Sequence, residues 1–191
     1  MSERIEIRLA GTGGQGLITA GIILAEAAIL DGKNVVQSQS YGPEARGGAS
    51  KAEVIISTGE IYYPKTSNPD ILLAMSQEAC NKYFNDLKPG GVLIVDSTFI
   101  TNVPSSNAFQ IPITKVTLEK LKKPVFANIV ALGILCEITQ IISRKSLTKA
   151  VLDRVPEAFI EQNKKALQLG FRLAKKELKN RKEPEQIVAD E

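Results

Sequence analysis

The sequence predicts an α/β fold: a doubly wound, mainly parallel sheet (Rossmann-like) with helices on both faces and a helical C-terminal part. Three observations predict it. Short apolar segments with strand character alternate with segments of helical spacing. A glycine cluster joins the first strand to the first helix. After Pro124 the spacing of apolar residues is helical almost to the end of the chain.

The first third of the chain alternates between strand and helix. Residues 4–10 alternate apolar and polar and then run into glycines, which predicts a strand followed by a tight turn. Residues 17–30 are apolar nearly all round, as expected of a helix that packs on a sheet and is covered further out. Residues 34–39 and 52–57 are predicted strands, and residues 61–63 are expected to pair with the latter as a hairpin.

The middle of the chain continues the alternation. Strands are predicted at residues 71–75, 92–95 and 109–113. Ser76 is placed to cap the N-terminus of a helix over residues 77–87, and Thr117 is expected to cap a short helix that ends at Leu121.

The last third is predicted to be helical at residues 127–142, 147–155 and 157–180. The last of these helices carries one apolar stripe, formed by Ile160, Leu167, Phe171, Ala174 and Leu178. The chain shows neither internal repeats nor a second composition zone. We therefore expect a single domain over residues 1–180 and a flexible tail over residues 181–191.

Composition excludes several classes of function. The 24 Lys and Arg exceed the 21 Asp and Glu by only three, so the sequence does not predict nucleic-acid binding. The basic run over residues 164–182 is interpreted as the solvated face of a helix. The chain has no histidine, and its two cysteines, Cys80 and Cys136, are far apart. A self-contained zinc or iron–sulfur site is therefore not expected.

Location is predicted from the same kind of observation. The longest apolar run, residues 127–142, is short for a membrane span and contains Asn128 and Glu137. The chain begins directly with an alternating strand rather than a signal peptide. We expect a cytoplasmic protein without membrane contact.

The first glycine loop follows the first strand. Gly11, Gly13 and Gly16 have the spacing G-x-G-x-x-G, and Gly14 and Gln15 lie between them. Such glycines let backbone N–H groups approach a phosphate at a helix N-terminus. The alternative is that they only let the helix pack closely on the sheet or on a partner chain. A dinucleotide is disfavoured, because the second predicted strand ends without an acidic residue and Asp31 comes one turn too early.

The second candidate loop spans residues 40–50. It brackets one ring, one acid and one base with glycines, and its candidate contact residues are Tyr41, Gly42, Glu44, Arg46 and Gly47. Arg46 offers a planar fork for a carboxylate or phosphate. The alternative is an internal Glu44–Arg46 pair that only holds the loop's shape. Both loops are predicted to follow the carboxyl ends of strands and so to meet at one crevice of the sheet.

The two loops together carry a resemblance to a known family. GGQG at residues 13–16 and YGPEARGG at residues 41–48 resemble the gamma subunit of 2-oxoacid:ferredoxin oxidoreductases. Weaker matches follow in a consistent order, and the resemblance covers about residues 5–178: PD at 69–70, SQEA at 76–79, DS at 96–97 and Asn128. The second loop looks most like the 2-oxoglutarate branch (2-oxoglutarate synthase).

The resemblance implies a pyruvate/ketoisovalerate oxidoreductase gamma-type domain within a larger complex. Such complexes use thiamine diphosphate, Mg²⁺, iron–sulfur clusters and coenzyme A, none of which this chain is expected to bind alone. The implied partners are alpha, beta and delta subunits, with ferredoxin as the electron acceptor. No catalytic or metal-ligating residue is assigned to this chain, and the two loops are implied to lie near coenzyme A. A stand-alone nucleotide-binding or regulatory module of the same fold is the alternative, and an independent enzyme has the least support.

Overall fold

The computed structural model describes residues 4–40 and 49–182. The strands are β1 (Arg4–Thr12), β2 (Asn34–Ser40), β3 (Ala49–Ser57), β4 (Ile71–Ala74), β5 (Val92–Asp96) and β6 (Phe109–Ile111). The helices are α1 (Leu17–Leu30), α2 (Gln77–Tyr83), α3 (Ile113–Leu121), α4 (Ala127–Thr139), α5 (Arg144–Arg154) and α6 (Ile160–Lys182). Short 3-10 turns lie at Phe84–Asp86, Pro124–Phe126 and Glu157–Phe159.

The six strands form one sheet in the order β2-β3-β1-β4-β5-β6. Strands β1, β4, β5 and β6 are parallel neighbours, whereas β3 is antiparallel to both β1 and β2. Five strands therefore point the same way and β3 alone is reversed, which confirms the predicted mainly parallel sheet. The carboxyl ends of β1, β4 and β5 meet at one edge, which we call the carboxyl edge.

The sheet separates a large core from a small one. Helices α1, α4, α5 and α6 contribute to the large core, whereas α2 packs in the small core on the other face. Successive residues of β4 alternate between them, so that Leu73 belongs to the large core and Leu72 to the small one. Helices on both faces were predicted, and the continuous apolar run of β4 reflects burial on both sides.

Several predicted element boundaries change in the structure. The Ser76 hydroxyl accepts a hydrogen bond from the Ala79 N–H at 3.2 Å, which confirms the predicted cap of α2. The Thr117 cap was wrong, because α3 begins at Ile113 and the Thr117 hydroxyl donates to the Ile113 carbonyl within the helix. The hairpin at residues 61–63 was also wrong, since β3 pairs instead with β1 and β2 and residues 61–63 form no strand.

The C-terminal helices pack through small residues. A Cβ built on Gly170 would lie 2.3 Å from the Val130 carbonyl oxygen, and one on Gly133 would lie 2.8 Å from the Leu167 carbonyl oxygen. Only glycine lets the backbones of α4 and α6 come this close. The predicted helix over residues 127–142 ends at Thr139, because Gln140 adopts a left-handed φ of 53°.

The predicted tail over residues 181–191 overlaps the end of helix α6. Helix α6 extends to Lys182, and residues 183–191 of the predicted tail lie outside the described residues. No helix within the described residues combines the length and the apolar character needed to cross a membrane.

Candidate functional site

The first glycine loop lies at the carboxyl edge, between β1 and α1. Gln15 fixes its shape, because its side-chain oxygen accepts a hydrogen bond from the Thr12 N–H at 2.9 Å. The Gln15 amide nitrogen donates to the Met75 carbonyl at 3.0 Å. Gln15 thus joins the loop to the residue that follows β4, and the predicted position of the loop after a strand is confirmed.

A second helix begins beside the same loop. The Asn128 amide in the first turn of α4 donates to the Gly16 carbonyl at 3.2 Å, and its oxygen accepts from the Ile129 N–H at 2.8 Å. The N-termini of α1 and α4 are therefore neighbours. No side chain caps α1, the residue before α4 makes no side-chain capping bond, and neither first turn contains an acidic residue. Because helix N-termini carry partial positive charge, this pair favours a bound anion.

The glycines of this loop differ in what requires them. A Cβ on Gly11 would lie 2.2 Å from the Gln15 side-chain oxygen, and one on Gly16 would lie 2.6 Å from the Asn128 amide nitrogen. Gly14 and Gly16 also have left-handed φ values of 86° and 72°. These three positions need glycine for the fold alone, as the packing alternative supposed.

Gly13 is the exception. Among the described residues nothing lies within 4 Å of a Cβ built there, and its φ is not in the left-handed region. Neither crowding nor backbone conformation within the described chain requires glycine at this position. Its missing side chain leaves room for something outside these residues to approach the backbone closely.

Two clefts flank Gly14 and Gln15. The first, of about 430 Å³, lies between the start of α1, the start of α4 and the turn before α6. The second, of about 420 Å³, opens over the carboxyl ends of β4 and β5. Val125 lines both, and the lining of the two clefts also includes Lys123, Phe99, Phe159 and Thr114.

Exposed apolar side chains surround these clefts. Phe99 is 49% exposed, Val125 is 67% exposed and Phe159 is 41% exposed. We call these three residues the apolar rim. The Lys123 ammonium lies 6.0 Å from the centre of the Phe159 ring and adds a positive charge at the rim. Large apolar side chains grouped around a cleft are typical of a surface that another molecule covers.

Five candidate residues of the second loop lie outside the described residues: Tyr41, Gly42, Glu44, Arg46 and Gly47. Its flanks are described. Ala49 is paired with Thr12, and the Ser50 hydroxyl donates to the Gly11 carbonyl at 3.3 Å. Ser40 ends β2 opposite Lys51. Both ends of the second loop therefore lie at the carboxyl edge, beside the first loop.

The structure also describes the two cysteines and Asp31, which were considered in the sequence as candidate groups. Burial raises the pKa of the Cys80 thiol, and burial followed by the nearby Glu137 charge raises that of Cys136 to about 12. Neither thiol is therefore activated as a nucleophile. Asp31 lies at the far end of α1 and accepts hydrogen bonds from α5. The described residues contain no cluster of three acidic or sulfur ligands that could hold a metal ion.

Sequence reasoning missed part of this edge. Lys123, Val125 and Phe159 come from the turns before α4 and α6, more than 100 residues after the first loop. Asn128 was noted only as part of a motif, and its bond to Gly16 depends on a tertiary contact. The one local signal was an apolar residue placed next to a proline at the start of a helix, as in Pro124-Val125.

Comparisons with known proteins agree on one family. Residues 6–173 match the family model described as pyruvate ferredoxin/flavodoxin oxidoreductase. The 2-oxoglutarate synthase subunit KorC of Methanocaldococcus jannaschii is 50% identical over 177 residues, which cover 90% of this chain and 95% of that protein.

Two solved structures have the same fold. The gamma subunit of a keto/oxoacid ferredoxin oxidoreductase from Geobacter sulfurreducens PCA is 54% identical, with a TM-score of 0.81, over 90% of this chain and 99% of that one. A 2-oxoglutarate:ferredoxin oxidoreductase from Magnetococcus marinus, with 2-oxoglutarate, coenzyme A and succinyl-CoA bound, is 28% identical with a TM-score of 0.82. That match covers 91% of this chain but only 31% of the Magnetococcus chain.

Proposed function

The chain belongs to the pyruvate ferredoxin/flavodoxin oxidoreductase family, and we propose that it is the gamma subunit of a 2-oxoglutarate:ferredoxin oxidoreductase complex. The complex oxidatively decarboxylates 2-oxoglutarate to succinyl-CoA and reduces ferredoxin. The 50% identity to a 2-oxoglutarate synthase subunit over nearly its whole length supports the choice of substrate. Within the fold, the observation that carries the proposal is Gly13: no described atom lies within 4 Å of a Cβ built there, and its loop meets the N-termini of α1 and α4.

The reactive groups of the complex belong to other chains. An iron–sulfur cluster held by cysteines needs four thiolates, and the sequence contains only two cysteines, both buried. The thiamine diphosphate, its Mg²⁺ and the clusters are accordingly assigned to alpha, beta and delta subunits. The Magnetococcus chain supports such an arrangement, because this fold makes up about a third of a longer polypeptide there. A cytoplasmic location stays a prediction from the sequence.

The apolar rim is the part of this chain that a partner subunit would cover. Phe99, Val125 and Phe159 expose large apolar surface around the clefts, and their burial would contribute to association. A covered rim would also exclude water from the first loop, which strengthens electrostatic interactions there.

The carboxyl edge is proposed to contact coenzyme A. The phosphates of coenzyme A carry the negative charge that the N-termini of α1 and α4 favour, and Lys123 adds a cation at the rim. The close approach would use the backbone of the first loop. The proposed contact residues are Gly11, Gly13, Gly14, Gln15 and Gly16 from the first loop, and Tyr41, Gly42, Glu44, Arg46 and Gly47 from the second. When bound, coenzyme A supplies the thiol that accepts the acyl group.

The function is tested by reconstitution. The chain is co-expressed with the thiamine-binding and cluster-binding subunits encoded near its gene, and 2-oxoglutarate-dependent ferredoxin reduction is measured with coenzyme A present. We expect activity with 2-oxoglutarate well above that with pyruvate, and loss of the complex when this chain is omitted. A chain that never associates with a thiamine-binding subunit would contradict the proposal. Tight binding of ADP or NAD by the isolated chain in calorimetry would favour the stand-alone module.

The coenzyme A contact is tested at Arg46. Arg46→Ala removes a fork suited to a phosphate, so we expect the KM for coenzyme A to rise about tenfold in the assembled complex, corresponding to about 1.4 kcal/mol. The KM for 2-oxoglutarate and the Tm should stay unchanged. Lys145→Ala, which removes an exposed cation of α5 outside both loops, is the matched control. Unchanged coenzyme A kinetics in the Arg46 variant would limit Arg46 to a role in the shape of its own loop.

A further inference from the structure

The net positive charge of the chain is concentrated on its last helix, α6. Between residues 160 and 182, Lys and Arg outnumber Asp and Glu by eight to two, a net charge of +6. The whole chain carries +3, so the remaining residues together carry −3. Helix α6 is therefore the basic element of a molecule that is otherwise slightly acidic.

The exposed face of α6 concentrates these cations. Five of the exposed ones lie along one side of the helix at helical spacing and form what we call the cationic stripe: Lys165, Arg172, Lys175, Lys176 and Lys179. At about 1.5 Å per residue the stripe is roughly 21 Å long. The opposite face, which includes Ala166, Leu167 and Ala174, is buried against the large core. The stripe is thus held on a rigid, packed helix rather than on a loop.

The acidic residues of α6 pair outside the stripe. Glu161 accepts from the Lys164 ammonium at 2.8 Å, and Glu177 forms an ion pair with Arg181 at 3.4 Å. The Lys164 hydrogen bond and charge lower the pKa of Glu161, and the nearby Lys165 charge of the stripe adds to this effect. Like charges spaced along one helix face repel one another, and an anionic surface that approached them would relieve that repulsion.

The composition of the stripe indicates the kind of partner. Four of its five residues are lysines, and lysine is depleted in the cores of stable protein interfaces. The apolar rim, by contrast, has the aromatic side chains typical of a permanent contact. Complexes of electron-transfer proteins are small and weak, and complementary charge speeds their encounter more than it tightens them. The stripe fits such a transient partner.

We propose that the cationic stripe of α6 steers and docks the small acidic electron-carrier protein that accepts electrons from the assembled complex. The inference rests on the proposed function, because only the complex has electrons to deliver. The stripe begins two residues after Asn163, which lines the first cleft, so it extends from the carboxyl edge of the sheet. Arg181 reaches the carbonyls of Asn107 and Ala108 just before β6, which places the far end of α6 toward the opposite edge.

The experiment reverses three charges of the stripe in the assembled complex. The variant Lys165→Glu, Arg172→Glu, Lys176→Glu is compared with a control that reverses three exposed lysines on separate segments: Lys65→Glu, Lys115→Glu, Lys145→Glu. The probe is the ferredoxin of the native host, and 2-oxoglutarate oxidation with methyl viologen is measured in parallel. A second stripe variant with glutamine at the same three positions removes the charges without reversing them.

We expect the stripe variant to lose about tenfold in kcat/KM for ferredoxin at low ionic strength, with a smaller loss near 0.5 M salt. The glutamine variant should fall between it and the unaltered complex. Methyl viologen activity should not change in any variant. An equal loss in the control, no loss in the stripe variant, or failure of its subunits to co-elute in size-exclusion chromatography would each overturn the proposal. Absence of methyl viologen activity in the unaltered complex would instead contradict the proposed function.

Discussion

The two ends of α1 are built differently. Its C-terminal end is bound by the chain itself, because the Asp31 carboxylate accepts hydrogen bonds from the Ser143 N–H, the Ser143 hydroxyl and the Ser146 hydroxyl at 2.6–2.8 Å. The Lys33 ammonium next to it donates to the Ile141 carbonyl at 2.6 Å. Its N-terminal end has no capping side chain and follows Gly13, where no described atom lies within 4 Å of an added Cβ.

This difference separates structure from function within one helix. An end that is saturated by its own chain contributes stability and leaves nothing for a ligand. An end whose N–H groups lack a side-chain partner, next to a glycine that no contact within the described residues requires, is available to a ligand or another chain. Asp31 lay near the position of a ribose-binding acid in the sequence, yet the structure uses it to join α1 to α5.

The largest loss of stability is expected at Gly16, which lies at the N-terminal end of α1 and contacts Asn128 of α4. Gly16→Ala places a Cβ 2.6 Å from the Asn128 amide nitrogen and at a φ of 72°. Left-handed strain of about 1–2 kcal/mol and a disturbed Asn128 hydrogen bond of about 1 kcal/mol should lower the free energy of unfolding by about 2–3 kcal/mol. Urea unfolding of the purified chain measures this difference.

Gly32 is the matched control at the other end of α1. It has a similar φ of 75°, but no described atom lies within 4 Å of a Cβ built there. Gly32→Ala should therefore show the strain alone, about 1 kcal/mol. Equal losses in the two variants would mean that the Asn128 contact adds nothing to the requirement for glycine at residue 16.

Asp31→Ala is expected to lower the free energy of unfolding by somewhat less, about 2 kcal/mol. The variant removes a charged acceptor of three hydrogen bonds and a negative charge near the N-terminus of α5. Thermal unfolding of this variant is compared with that of Glu119→Ala, which alters an exposed acid on α3 and should change stability by less than about 0.5 kcal/mol. Equal Tm values for the two would contradict the idea that the C-terminal end of α1 is held by Asp31.

The contribution of Asp31 should also depend on pH, with a smaller effect. Partial burial raises its pKa, but the hydrogen bonds from Ser146 and Ser143 and the Lys33 charge outweigh burial and lower it below 3.8. A carboxylate with a lowered pKa stabilises the fold above its unfolded pKa and loses that contribution as pH falls through the folded one. The stability gap between the chain and Asp31→Asn, no more than about 1 kcal/mol, should shrink as pH falls below 4. A gap that is constant between pH 3 and 7 would contradict this.

Local sequence patterns predicted where α1 and α2 begin, but not the tertiary contacts around α1. The glycine spacing located the turn between β1 and α1, and Ser76 located the start of α2, because turns and caps depend on neighbouring residues. The reversed strand β3 and the Asn128–Gly16 bond depend on pairing across 37 to 112 residues. The Thr117 cap failed for a related reason, since the buried hydroxyl of Thr117 bonds within α3 instead of starting it.

The smallest change in stability is expected at Gly13, where the two ends of α1 differ most. Gly13→Ala adds a methyl group that meets no described atom and needs no unusual φ, so the free energy of unfolding should change by less than about 0.5 kcal/mol. In the assembled complex the same methyl group would occupy the space left for a ligand or partner, so we expect the KM for coenzyme A to rise several-fold. Calorimetry and steady-state kinetics on the same preparation measure both quantities. A Gly13 variant that loses stability as Gly16→Ala does, or that leaves coenzyme A kinetics unchanged, would show that the open end of α1 is as structural as the closed one.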